Sequence, residues 1–398
     1  MLATRLRAPR NLFRAHRALA CIAAATLVGV QAGVQAEAAA KPTKEQQIEG
    51  AFFGALVADA LTLGTHYEYD ANKIKSFYGN LDRYYAPGEK TGGATHGIGW
   101  GQRNYHGGNG RGPAKKAGEQ TDYGDYNILI LEHLAAHPTG RIELKTLVPR
   151  WQERLKTWRA WMCTQTRQTN EQVMQGVLLD RIGGMSNAMA IRHAAAYAAF
   201  SSEEDVVHAS KVAMFTHRET SALQGGEFFA RVTHRIIHKG LSAREAIAEV
   251  AAESPDFIRN KVKQATDKVA EATDPAKALS KEEFADDLAL TSMARLWDVG
   301  KTEPIKVGKA SPTEGTLPGS VYFILKYEGD MAGAMTANAM VGGDNASRAI
   351  AIGMVMGAAQ GVQGIPKNLG KGHLVEWEHC EALLRSLPLL KDAPRAEL

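Results

Sequence analysis

The segment Val341-Gly342-Gly343-Asp344-Asn345-Ala346-Ser347-Arg348-Ala349-Ile350, followed by Gly353, Gly357 and Gly361, constrains this chain more than any other. Two glycines end an apolar stretch and permit positive φ or a crowded neighbour. Asp344 stands where an N-cap or first-turn acid stands, at the positive end of a helix. Glycines four apart share one helix face, so a second helix can approach closely there. The pattern predicts a central helix with a polar start, although an ordinary capped buried helix carries the same pattern.

The rest of the chain reads as helices joined by loops. Helical periodicity covers segments near 44–62, 122–136, 142–160, 186–198, 203–214, 218–238, 242–252, 256–273, 280–298, 318–328 and 344–362. Capping-box patterns run from Thr43 to Gln46, Ser201 to Glu204, Ser242 to Glu245 and Ser280 to Glu283. Strand alternation is nearly absent. The expected fold is all-α, a single compact multi-helix domain over residues 42–390.

The N-terminus is separate. Arg5, Arg7, Arg10, Arg14 and Arg17 precede an apolar run, with no acid before Glu37 and a small-residue cleavage pattern at Val34-Gln35-Ala36. Residues 1–36 are therefore expected to be a signal peptide, with an organellar transit peptide as the alternative. The mature chain is expected to be secreted or periplasmic, or else in an organelle. Without those residues, 42 Lys and Arg face 43 Asp and Glu, so the net charge falls from +4 to −1. That balance predicts neither nucleic-acid binding nor membrane association after leader removal. Two cysteines remain, Cys163 and Cys380, which can pair only in an oxidising compartment.

Several polar clusters are candidate sites. Asp59 lies in a small, apolar helix, where a buried acid needs a partner. His66, Glu68 and Asp70 follow it. Residues 88–118 hold eleven glycines with His96, Trp100, Tyr105, His106 and Arg111, the composition of a lid or binding loop. Thr121, Asp122 and Asp125 open the next helix; their oxygens suit a hard cation such as Mg²⁺, or serve the helix dipole. Gly183 and Gly184 can offer backbone N–H groups to a phosphate, or form a plain turn.

In this order, Asp59 in the first helix, Thr121-Asp122 at 121–125 and Gly342-Gly343-Asp344 before the last core helix resemble the ADP-ribosylglycohydrolase family, over about residues 46–365. The resemblance implies an all-α fold, a dinuclear Mg²⁺ or Mn²⁺ centre and cleavage of a glycosidic bond at the ribose of an ADP-ribose-like substrate, a small molecule or an ADP-ribosylated group. It places Thr121, Asp122, Asp344 and Ser347 at the metal. For a hydrolase of this kind, Asp125, Asn345, Arg348, Gly183 and Gly184 are expected at the substrate and Glu68, Asp70 and His66 in acid–base roles, Glu68 being the one of these that the resemblance itself matches to a catalytic position. The departures fall on the metal motifs. Tyr123 and Ala346 stand where the family has aspartates, and Ala58 stands for a glycine. One ion, or none, is therefore also open. These changes resemble the branch containing the J crystallins. A catalytically inactive structural or ligand-binding member is thus the alternative to a hydrolase.

Overall fold

The computed structural model describes residues 41–90, 114–138, 140–294, 296–297 and 305–394. Lys41–Leu398 form one compact unit. The described helices are, in chain order, α1 (Lys44–Thr62), α2 (Ala71–Tyr78), α3 (Asp122–Ala136), α4 (Leu144–Lys156) and α5 (Thr164–Met174). They continue with α6 (Ala196–Ala199), α7 (Glu203–Ala213), α8 (Thr220–Lys239), α9 (Ala243–Glu253) and α10 (Asp256–Thr273). The last five are α11 (Ala285–Ser292), α12 (Thr313–Lys326), α13 (Met331–Val341), α14 (Asn345–Gln360) and α15 (Trp377–Leu384). Two residue pairs, Leu296–Trp297 and Ile305–Lys306, make a minimal antiparallel ladder. The fold is all-α, and no described helix is long and apolar enough to cross a membrane.

Helices α1 and α14 are buried along nearly their whole lengths and pack against each other. Glycine makes that contact possible. A Cβ on Gly353 would stand 2.0 Å from the Gly54 carbonyl oxygen, and one on Gly54 would stand 2.3 Å from that of Gly353. Gly50 and Gly357 repeat the arrangement one turn along. The pairing of early α1 with late α14 makes the helices antiparallel, so the end of α1 meets the start of α14. The glycine face expected in α14 is thus matched by glycines of α1. Gly361 has another task, closing the helix at φ +72°.

The other helices surround this pair. Helix α8 packs on α7, α9 and α14, while α12 packs on α10 and α14. The capping boxes at Thr43 and Ser242 form. The cap expected at Ser201 falls one residue later, where Ser202 accepts from the Asp205 N–H. The Ser280–Glu283 box does not form. Ser280 Oγ donates to the Lys277 carbonyl, and Glu283 pairs with Lys75.

The helix expected at 186–198 is a larger departure. Only Ala196–Ala199 is helical. The preceding backbone finds other partners: Asn127 donates to the Ile191 carbonyl at 3.0 Å and accepts from the Ala194 N–H at 3.1 Å. The Thr313 and Arg218 N–H groups take the Asn187 and Gly184 carbonyls. Tertiary hydrogen bonds thus replace the helical ladder. The segment expected at 280–298 likewise divides into a 3₁₀ turn, α11 and the strand pair. The expected leader (1–36) and most of the glycine-rich loop (91–113) lie outside the described residues.

Two predictions follow from this packing. Gly353→Ala should lower unfolding free energy by about 1–3 kcal/mol, because a methyl must displace backbone rather than a flexible side chain. Thermal unfolding measures it, and an unchanged midpoint contradicts the account. The second concerns acid. His193 is buried, neither ring nitrogen has a hydrogen-bond partner among the described residues, and burial pushes its pKa down to about 3. Burial lowers His133 and His238 to about 4. Unfolding lets these rings take up protons near pH 6.5 that the folded state refuses. Their contribution to stability is therefore full above pH 6.5 and is lost as pH falls toward 3. Urea midpoints should be lower at pH 5 than at pH 7.5, and His193→Leu should narrow the gap.

Candidate functional site

The antiparallel contact brings the loop after α1 against the loop before α14. The two are tied by backbone hydrogen bonds: Tyr67 N–H to the Gly343 carbonyl at 2.8 Å, and Gly343 N–H to the Glu68 carbonyl at 2.6 Å. Gly342 and Gly343 have φ of +72° and +70°, and a Cβ on Gly342 would stand 2.1 Å from the Glu68 carbonyl oxygen. Tyr67 is the one described non-glycine residue with positive φ, at 64°. Such backbone costs on the order of 1–3 kcal/mol and collects at functional sites.

Asp344 caps α14 from within this knot. It is fully buried and accepts from the Ser347 N–H at 3.3 Å and from the Tyr123 hydroxyl at 2.8 Å. His66 Nδ1 lies 4.0 Å from its other oxygen and 3.1 Å from Asn345 Oδ1. Burial holds the His66 pKa below the usual value against the pull of Asp344. Arg348, also fully buried, donates to Asn338 Oδ1 at 2.8 Å and to the Gly342 carbonyl at 2.6 Å. Its Nη1 has no hydrogen-bond partner among the described residues, and burial lowers its pKa to about 10.

Asp59 faces the start of α3. Its carboxylate accepts from Thr121 twice, from the backbone N–H at 2.7 Å and from the hydroxyl at 2.6 Å. With its amide turned to satisfy both neighbours, Gln120 donates to Asp59 Oδ2 at 3.0 Å and to the Leu56 carbonyl at 3.1 Å. Burial pushes the Asp59 carboxyl up to about 8, against the lowering effect of the Thr121 bonds. Gly124 is required beside it, since a Cβ there would meet Asp59 Oδ2 at 2.4 Å.

A cavity of about 500 Å³ opens from this region. Its walls include Tyr67, Tyr69, Tyr123, Tyr126 and Trp161 as flat surfaces, and Asp122 and Arg192 as charges. Asp122 is the sole carboxylate and Arg192 the sole Lys or Arg among the described lining residues. Such a volume with aromatic walls and few polar groups is typical of small-molecule sites.

The sequence profile of the ADP-ribosylglycohydrolase family matches residues 40–396. The chain belongs to the ADP-ribosylglycohydrolase family. A solved structure described as "ADP-ribosylglycohydrolase-related protein complex" is similar to it with a TM-score of 0.55 at 17% identity, covering 88% of this chain and 99% of that one. A search of curated proteins found no match.

The expected site residues divide into three groups. Asp344, Ser347, Asn345, Arg348 and His66 form one buried cluster, which Tyr123 joins to Thr121 and Asp122. Glu68 and Asp70 are held elsewhere. Glu68 is buried with Oε2 2.8 Å from Lys73 Nζ, and Asp70 caps α2 by accepting from the Asn72 and Lys73 N–H groups. Neither lines the cavity, and Asp125 pairs with the buried Lys115 at 2.6 Å. Gly183 and Gly184 serve packing. A Cβ on Gly183 would stand 2.0 Å from the Phe215 carbonyl oxygen, and one on Gly184 would meet the Gln165 side chain at 2.1 Å.

The residues do not fit the two-ion centre that the family resemblance implies. No group of three or more His, Cys, Asp or Glu side chains among the described residues is placed to hold a metal. The Tyr123 hydroxyl takes one Asp344 oxygen, Ala346 offers none, and Thr121 occupies both oxygens of Asp59. Hard cations need several open anionic oxygens.

Sequence reasoning missed Trp161, Cys163, Asn187, Arg192 and the site role of His217. Arg192 carried a signal, a lone cation in an apolar run. Tyr123→Phe should strand one Asp344 oxygen without its donor and cost on the order of 1–3 kcal/mol of stability. Chemical denaturation checks this, and a neutral result would show that the bond carries little.

Proposed function

We propose that this member of the family binds an ADP-ribose-like ligand in the aromatic cavity and hydrolyses its glycosidic bond at the ribose without a divalent ion. The cavity carries this reading, because among its described lining residues one carboxylate and one guanidinium stand among aromatic faces, beside Tyr123 and the start of α3. Tyr and Trp rings stack on a base or pack on a sugar face. Arg192, fixed over the Tyr126 ring at 3.5 Å, supplies positive charge for a diphosphate. Asp122, which lines the cavity, would be the general base that takes a proton from the water attacking the anomeric carbon. The Tyr123 hydroxyl holds the Asp344 carboxylate by its hydrogen bond, and Arg348 adds positive charge to the same buried cluster.

A second reading, binding without turnover, is favoured by the same cavity. Glycosidases usually work with two carboxylates, and among the described residues one lines this space. That outcome would suit a J-crystallin-like member. The arginine-led start supports a mature chain that is exported or imported into an organelle.

The test is release of free ADP-ribose from an ADP-ribosylated peptide, with and without chelator. Turnover should survive chelation, and Asp122→Asn should lower it by on the order of 100-fold with thermal stability unchanged. No release from the wild type supports the second reading. Release that requires Mg²⁺ contradicts the first. In a separate gain-of-function test, Tyr123→Asp with Ala346→Asp should acquire a Mg²⁺-dependent rise in melting temperature that the wild type lacks.

A further inference from the structure

Cys163 and His217 meet on the cavity wall, and the glycosidic reading uses neither. Cys163 is the N-cap of α5, an eleven-residue helix, and its Sγ accepts from the Thr166 N–H at 3.4 Å. His217 Nε2 lies 3.7 Å from Sγ. The imidazole is held from its far side, with Nδ1 2.7 Å from Thr216 Oγ1, which also accepts from Arg192 Nη1 at 2.9 Å. The ring is 5% exposed, and burial, reinforced by Arg192, pushes its pKa down to about 3, so it is neutral at physiological pH. Cys163 is only half-buried and opens to the cavity, whereas Cys380 is buried in the core. Both thiols are free, so the pairing considered from sequence does not form.

The first N–H groups of a helix have no intrahelical acceptor. In α5 these include the N–H groups of Thr164 and Gln165, the residues that follow the sulfur and line the same cavity. A nucleophilic sulfur, a neutral imidazole at its side and open backbone donors beyond it are the parts that acyl transfer requires.

We propose that Cys163 and His217 form a nucleophile–base pair that cleaves a small carboxylic ester bound in the cavity. Nε2 takes the thiol proton as Sγ attacks the carbonyl carbon. The C–S bond forms, and the oxyanion is met by the Thr164 and Gln165 N–H groups. The C–O bond to the alcohol then breaks, and the alkoxide takes the proton from Nε2. A water molecule attacks the thioester and gives a proton to Nε2. That proton returns to sulfur as the C–S bond breaks, leaving a free carboxylic acid and the resting thiol. The proposal stands apart from the glycosidic reading and survives its failure.

The experiment uses the full chain with p-nitrophenyl acetate as probe. A burst of p-nitrophenolate equal to the enzyme concentration is expected, with peptide mass analysis placing the acetyl group on Cys163 and none on Cys380. Cys163→Ser should abolish the burst while preserving the fold, since serine is a good N-cap. His217→Gln should slow the burst by on the order of 100-fold. Absence of a burst in the wild type, a burst that survives Cys163→Ser, or acetylation of Cys163 no faster than in the urea-unfolded chain would each overturn the proposal. The wild-type burst and the Cys163→Ser result decide it even where His217→Gln fails to fold.

Discussion

The close antiparallel contact of α1 with α14 is the constraint on which everything else rests. Gly50 and Gly54 lie against Gly357 and Gly353, with no room for a methyl group between the backbones. The contact brings the loop carrying His66 and Tyr67 onto the loop carrying Gly342, Gly343 and Asp344. It also fixes Asp59 where the start of α3 can reach it through Thr121. A loosened contact would let both loops drift, because their positive-φ residues depend on over-determined surroundings.

The chain has the all-α fold of its family. At the two positions where the resemblance leads one to expect aspartates, this chain has the phenol of Tyr123 and the methyl group of Ala346. The phenol of Tyr123 donates to Asp344, and burial drives its own pKa well above the ordinary value, so it stays protonated and keeps donating. Arg348 brings positive charge to the same cluster without bonding the carboxylate, held instead by Asn338 and the Gly342 carbonyl. A neutral donor and a nearby guanidinium can balance one buried carboxylate; they cannot replace the anionic oxygens that two ions need.

Much of this was legible in the sequence, and what was not has physical causes. The glycines of α14 announced a close contact because four-residue spacing has one geometric meaning. The boundaries of α1, α3 and α10 followed from apolar periodicity and caps. The segment 186–195 misled because its alanines and methionines fit a helix, while Asn127, distant in sequence, supplies its hydrogen bonds. Helix α5 was invisible because Thr164–Met174 is polar and carries little apolar period. Glu68 and Asp70, expected in acid–base roles, are engaged by Lys73 and by the start of α2, contacts that only the fold shows. Cys163 and His217 are 54 residues apart, and only the fold could bring them together.

The measurement that tests the central claim most directly is calorimetric titration of ADP-ribose into the protein, first with Mg²⁺ present and again after a chelator. A cavity organised by Tyr123, Asp344 and Arg192 should bind with the same affinity in both conditions. Loss of binding on chelation would show that an ion organises the site after all, and absence of binding in both would show that the cavity does not take this ligand.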